Sequence, residues 1–171
     1  AIQDLSDTGR QPMSHSQKPI HIIFNGEIYN YKILRDELRR DGAQFFSTSD
    51  TEVILHSYER FGLEETLNKL EGMFGFALYD ERSNVVYLAR DRFGQKPLFY
   101  AQDNKAGFIF SSEVKSILKY RGGARLNFQD SLNPLFTTGL SPRGRTMFDG
   151  VSQLEEGSYI KYDLNAQRYE I

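Results

Sequence analysis

The apolar pattern of this chain changes period near residue 72, and that change limits the fold more than any other feature. Before it, apolar residues recur at helical spacing. The stretch "NYKILRDELRRDG" (30–42) places Ile33, Leu34 and Leu38 on one stripe. Asn30 stands ready as N-cap and Gly42 as the left-handed residue after the helix. In "SDTEVILHSYERFG" (49–62), Val53, Ile54, Leu55, Tyr58 and Phe61 share helical spacing. Ser49-x-x-Glu52 reads as a capping box, and Gly62 as the stop. A shorter helix is expected over 63–70. Beyond 72 the period is two. "MFGFALYD" sets Phe74, Phe76 and Leu78 on one face and the small Gly75 and Ala77 on the other. "VVYLARD", "PLFYAQ", "GFIFSS" and the late "SYIKYDL" continue as strands, and 20–24 is an earlier one. Residues 112–118 fit a short amphipathic helix. Helices early and strands in hairpins predict an α+β fold with mainly antiparallel sheet. The segment 121–150 has no clear period. It reads as a long connection or a surface that meets another domain.

At 171 residues the chain is expected to form one domain, 1–171, with a sizeable core. A formal net charge of −2 gives no global pull toward nucleic acid or anionic lipid. No apolar run approaches the roughly 20 residues that span a bilayer. "AIQDLSDTGR" has neither the basic nor the apolar region of a signal peptide, and the expected location is cytoplasmic. There are no cysteines, which removes disulfides, thiolate metal sites and a cysteine nucleophile within these residues. His15, His21 and His56 have no metal-pair spacing and read as surface or satisfied core residues. Lys115, Lys119, Arg121 and Arg125 form a loose basic cluster, read as solvated or as an intramolecular contact face. No phosphate-binding or nucleophile-elbow motif is present.

Two short stretches remain. In "FNGEIYNY" (24–31) an Asn-Gly pair and a carboxylate follow a strand. On pattern alone Asn25-Gly26 is a turn. It could also serve acyl transfer from an amide. The Asn carboxamide and the next backbone N–H would be two donors for an oxyanion, and Gly26 would admit substrate close to the main chain. Glu27 would offer its charge to a substrate ammonium. Asp50, with Ser49 capping, would be a first helical residue whose side chain is free of capping duty. The helix dipole would favour its ionised form. The plainer alternative is that Asp50 only stabilises the helix start.

These stretches sit within a longer ordered set: "FNGEIYNY", "SDTEVILHSYERFG", "LEGMFGFALYDER", "LARDRFGQKPLFYA", "FSSEVKSIL" and "GVSQLEEGSYIKYDL". In that order they resemble the glutaminase domain of glutamine-hydrolysing asparagine synthetases, over nearly the whole chain. The resemblance implies a class II glutamine amidotransferase domain of the N-terminal-nucleophile hydrolase type, a four-layer αββα sandwich of two antiparallel sheets. It implies Asn25 and Gly26 as the oxyanion hole, Glu27 and Asp50 as holders of the glutamine ammonium, and the main chain of Ala1, Ile2 and Gln3 as pocket lining. Tyr29, Asn30, Arg90, Asp91 and Arg92 match family motifs and are expected to order the fold.

In that family an N-terminal cysteine attacks the glutamine amide with its own amino group as base. The resemblance places Ala1 inside the domain, so the cysteine and a carboxylate-binding arginine would precede these residues, and a synthetase domain would follow 121–171. No cofactor is expected in this domain; ATP and Mg would belong to the synthetase domain. The expected partners are L-glutamine, that synthetase domain and a possible homodimer. Two other readings stay open. One is a nucleophile-less module that binds glutamine or serves structure; the other is a glutaminase for a synthetase whose acceptor is not aspartate.

Overall fold

A computed structural model describes residues 9–103, 107–128 and 143–171. In chain order the elements are β1 (Met13–Ser14), β2 (Ile20–Ile28), α1 (Tyr31–Arg40), α2 (Asp50–Phe61), α3 (Leu63–Lys69), β3 (Gly72–Asp80) and β4 (Val85–Arg90). Then follow β5 (Phe99–Asp103), β6 (Gly107–Ser111), α4 (Val114–Tyr120), β7 (Ser152–Gln153), β8 (Tyr159–Asp163) and β9 (Arg168–Glu170). β2 and β3 form the frame. They pair antiparallel from Ile20 opposite Asp80 to Ile28 opposite Gly72. The larger sheet has the order β1-β2-β3-β4-β8-β9, and the smaller one β6-β5-β7. Every pairing is antiparallel.

The alternation in β3 sorts the layers. Phe74, Phe76 and Leu78 join Ile20, Ile22 and Ile28 against Leu34 and Leu38 of α1 and Val53, Ile54 and Leu55 of α2. Ala77, on the opposite face, packs with Leu98 and Tyr100 of the second sheet's side and with Leu88 and Ile160. Beyond that sheet, Ile117 of α4 packs on Ala101 and Val151. Three apolar seams thus separate four layers, the helix–sheet–sheet–helix order expected of an αββα sandwich. Burial of each large aliphatic side chain in these seams contributes about 2 kcal/mol. Fully buried examples are Ile54 and Leu55 on the helix side and Leu154 and Ile160 between the sheets.

The helix ends follow local chemistry, with two differences from expectation. Past α1, Ala43 N–H bonds Leu38 O at 2.9 Å and Gly42 N–H bonds Arg39 O at 3.0 Å. These are the two bonds of a Schellman motif, and Gly42 takes the required φ of 94°. Asn30 precedes α1 but makes no side-chain cap. Its amide instead donates to Lys69 O and accepts from Glu71 N–H, tying the start of α1 to the end of α3. Ser49 does cap α2, accepting from Thr51 N–H. Glu52 does not close the box. Its carboxylate takes the amides of Phe46 and Ser47 and the Ser47 hydroxyl, because the incoming loop buries those donors beside it. The middle of the connection expected between 121 and 150, residues 129–142, lies outside the described residues.

Candidate functional site

The Asn25-Gly26 pair is not a turn. β2 runs straight through it to Ile28. The reason is the closeness of β3 rather than any need to reverse the chain. A Cβ on Gly26 would overlap the Met73 carbonyl oxygen and lie 2.7 Å from Phe74 Cα. Glycine is what allows β2 to lie this tightly on its neighbour.

The edge of β2 away from β3 is where the candidate groups gather. β1 covers that edge only at His21 and Ile22. In an extended strand, amides two residues apart point the same way. Phe24 N–H donates to Gln11 Oε1 at 2.6 Å, and Ile28 N–H to Asp50 Oδ2 at 2.9 Å. Gly26 N–H lies between these two on the same edge. Beside it, on the face toward the second sheet, Asn25 is exposed, and its Nδ2 donates to Ser112 Oγ at 3.2 Å. Asn25, Gly75, Leu98, Phe110 and Ser112 help line a cavity of about 270 Å³ between the sheets. A carboxamide donor and an edge-facing backbone donor, one residue apart beside a cavity, can together hold a developing oxyanion.

Asp50 is placed differently from the expectation. It is 2% exposed, and its carboxylate is engaged rather than free. Burial pushes its pKa above the ordinary 3.8, against the pull of the Ile28, Thr51 and Asp50 amides. The charge of half-buried Glu27 adds to the rise, so the two carboxylates face one another closely enough to repel. The amides of the helix start favour the anion, and burial outweighs them. The result is a carboxylate that would gain from a cation brought between it and Glu27. Ala1, Ile2 and Gln3 lie outside the described residues.

Of the residues expected to order the fold, Asn30, Asp91, Arg90 and Arg92 do so through hydrogen bonds. Asp91 is fully buried and accepts from the amides of Phe74, Phe93, Gln95 and Lys96. Burial alone would raise its pKa, yet those amides bring it below 3.8. Arg90 donates to the carbonyls of Lys96, Leu154 and Gly94. Arg92 reaches Asn68 O, and Tyr29 stays exposed.

Two of the three histidines depart from the satisfied-core reading. His15 and His56 are buried with their rings 4.4 Å apart; His15 Nε2 lacks a hydrogen bond, and His56 Nε2 lies 3.6 Å from Glu52 Oε1, beyond hydrogen-bond distance. His21 is held by Ser14 and Glu81. Among the described residues no three His, Asp or Glu side chains converge as a metal site requires, and no helix is long and apolar enough to cross a membrane. Gln11 and Ser112 were not singled out from the sequence. Their partners Phe24 and Asn25 lie 13 and 87 residues away, and no local pattern encodes such contacts.

Comparison with known proteins adds a family-level match. The model of the glutamine amidotransferase domain family matches residues 1–170. Asparagine synthetase [glutamine-hydrolyzing] 3 of Bacillus subtilis is 40% identical over 99% of this chain, which covers 28% of that protein. Asparagine synthetase [glutamine-hydrolyzing] 1 of the same organism is 39% identical over 89% of the chain, covering 24% of that protein. The chain thus spans about a quarter of the relatives it matches. The glutamine phosphoribosylpyrophosphate amidotransferase of B. subtilis, solved with ADP and GMP, superposes with a TM-score of 0.65. It covers 96% of this chain and 32% of its own at 20% identity, a likeness of fold.

Proposed function

This chain belongs to the glutamine amidotransferase domain family, and from that premise we propose that the edge of β2 holds L-glutamine for hydrolysis of its side-chain amide. The observation that carries the reading is the row of amides on that edge. Phe24 and Ile28 are held by Gln11 and Asp50, and Gly26 N–H stands between them beside the Asn25 carboxamide. Attack on the amide carbon moves the carbonyl electron pair onto oxygen. Asn25 Nδ2 and Gly26 N–H would donate to that oxygen as its charge grows. Collapse of the intermediate expels the nitrogen as ammonia once it is protonated, and water then releases glutamate. Glu27 and Asp50 would hold the substrate ammonium. Its positive charge between two mutually repelling carboxylates lowers the energy of both. The sequence contains no cysteine, so a thiol attack in this site uses a sulfur from outside these 171 residues.

The ammonia is proposed to feed a synthetase domain on the same polypeptide, with aspartate as acceptor and with ATP and Mg used there. The names of the B. subtilis relatives support this wider reading. The test is ammonia release from L-glutamine by the intact gene product. Asn25→Ala should lower kcat by about 10²–10³-fold, the usual cost of one oxyanion donor. Absence of release, or an unchanged kcat in Asn25→Ala, contradicts the assignment.

The lack of cysteine favours one other reading, a module that binds glutamine without turning it over. It predicts glutamine binding, lost in Asn25→Ala and Asp50→Ala, with no ammonia formed.

A further inference from the structure

We propose that Ser112 is a positioning residue of the oxyanion hole, fixing the plane of the Asn25 carboxamide from the opposite sheet. The inference rests on the glutaminase reading of Asn25 above. Asn25 belongs to the larger sheet, and Ser112 follows β6 of the smaller one. Their hydrogen bond, Nδ2 to Oγ at 3.2 Å, bridges the two sheets across the cavity that both residues line.

The chemistry of a primary amide gives this bond its consequence. Nδ2 carries two hydrogens in the plane of the carboxamide. Directing one at Ser112 fixes the direction of the other. Asn25 is exposed and flanked on its strand by Gly26, which offers no side chain to pack against it. An unanchored Asn would sample several orientations about the bond that sets its amide plane, which has no sharp staggered minima. Catalysis by preorganised donors depends on their being aimed before charge develops, so this anchoring acts on the transition state rather than on substrate binding.

The chain on either side of Ser112 is anchored. Ser111 Oγ accepts from Glu113 N–H at 3.1 Å, shaping the turn out of β6. Glu113 precedes α4, which starts at Val114 and which Ile117 seats on the smaller sheet with no exposure. The hydroxyl is therefore held by a rigid layer that Asn25's own strand does not belong to.

The experiment measures glutamine-dependent ammonia release by the intact gene product as wild type, Ser112→Thr, Ser112→Val, Asn25→Ala and the Asn25→Ala/Ser112→Val double variant. Thr and Val differ by the hydroxyl alone and are nearly equal in volume, so their comparison removes packing effects. The expected result is kcat within threefold of wild type for Ser112→Thr. For Ser112→Val a roughly tenfold lower kcat with KM unchanged is expected. In the Asn25→Ala background Ser112→Val should cost nothing more, because the group it positions is gone. Equal kcat for Thr and Val overturns the proposal, as does a tenfold loss that persists in the Asn25→Ala background. An unaffected Asn25→Ala, or a wild type without release, overturns the glutaminase reading and this inference with it. A sensitive Asn25 with equal Thr and Val variants overturns this inference alone.

Discussion

Replacing Gly26 with alanine tests the close approach that makes the site strand possible. An added Cβ would overlap Met73 O, lie 2.7 Å from Phe74 Cα and 3.0 Å from the Met73 carbonyl carbon. All three are backbone atoms of β3, so no side chain can swing away, and the two strands must part where Gly26 pairs with Phe74. Overpacking of this kind costs about 1–3 kcal/mol. Gly26 also holds a φ of 158°, which an L-residue adopts only with strain. Together these place Gly26→Ala at about 3 kcal/mol, more than a hundredfold in the folding equilibrium. Gly75, opposite Asn25 on the same pair of strands, is the internal control. Its added Cβ would meet Pro97 O at 3.5 Å and Leu98 Cβ at 3.6 Å, ordinary contact distances. Gly75→Ala should therefore change stability by less than about 1 kcal/mol. Urea unfolding followed by circular dichroism measures both. Equal midpoints for the two variants would show that β2 and β3 are not as close as described, and the physical reason for glycine at 26 would fall.

Three further outcomes follow from buried charge. The Asp50 pKa is raised, so the ionised form costs stability at any pH above that raised value, and the cost fades as pH falls toward 3.8. Asp50→Asn should unfold at an equal or higher urea concentration at pH 7, yet bind glutamine at least tenfold more weakly by calorimetry. Asp91 is the opposite case. Its pKa is lowered, so its contribution is present above pH 3.8 and lost as pH falls through the lowered value. Asp91→Ala strands four backbone donors, and a loss of about 3–5 kcal/mol is expected in urea unfolding at pH 7. His15 is held below its ordinary 6.5, first by burial and then by the nearby His56, with Lys18 also opposing protonation and Glu59 and Glu52 favouring it. The unfolded chain takes up a proton as pH falls below 6.5 while the folded one resists. Melting temperature should therefore drop between pH 7 and 5.5, and drop less in His15→Phe.

The helices and strands were legible because their signals are local. Leu34 and Leu38 and the alternation of Phe74, Phe76 and Leu78 point to the faces that the structure buries, whereas Ile33, expected on the same stripe as the two leucines, is exposed. The site was harder to read, for three physical reasons. Asn-Gly is a turn signal on its own, and only the nearness of Met73 and Phe74 shows why glycine stands inside a strand. Ser49-x-x-Glu52 has the spacing of a capping box, but the Phe46 and Ser47 amides compete for Glu52 and win. The charge state of Asp50 is set first by burial, which outweighs the amides of Ile28 and of the helix start, and the charge of Glu27, 23 positions earlier, adds to the rise. Gln11 and Ser112 become visible only when the chain brings them to Phe24 and Asn25.

If the β2 edge around Gly26 receives glutamine, its backbone amides must respond when the protein is titrated with L-glutamine and followed by amide chemical shifts. Saturable shifts are expected at the amides of Gly26, Glu27, Ile28 and Thr51, and none with D-glutamine at the same concentration. Shifts that leave these four amides unmoved, or that D-glutamine reproduces, contradict glutamine binding at this edge.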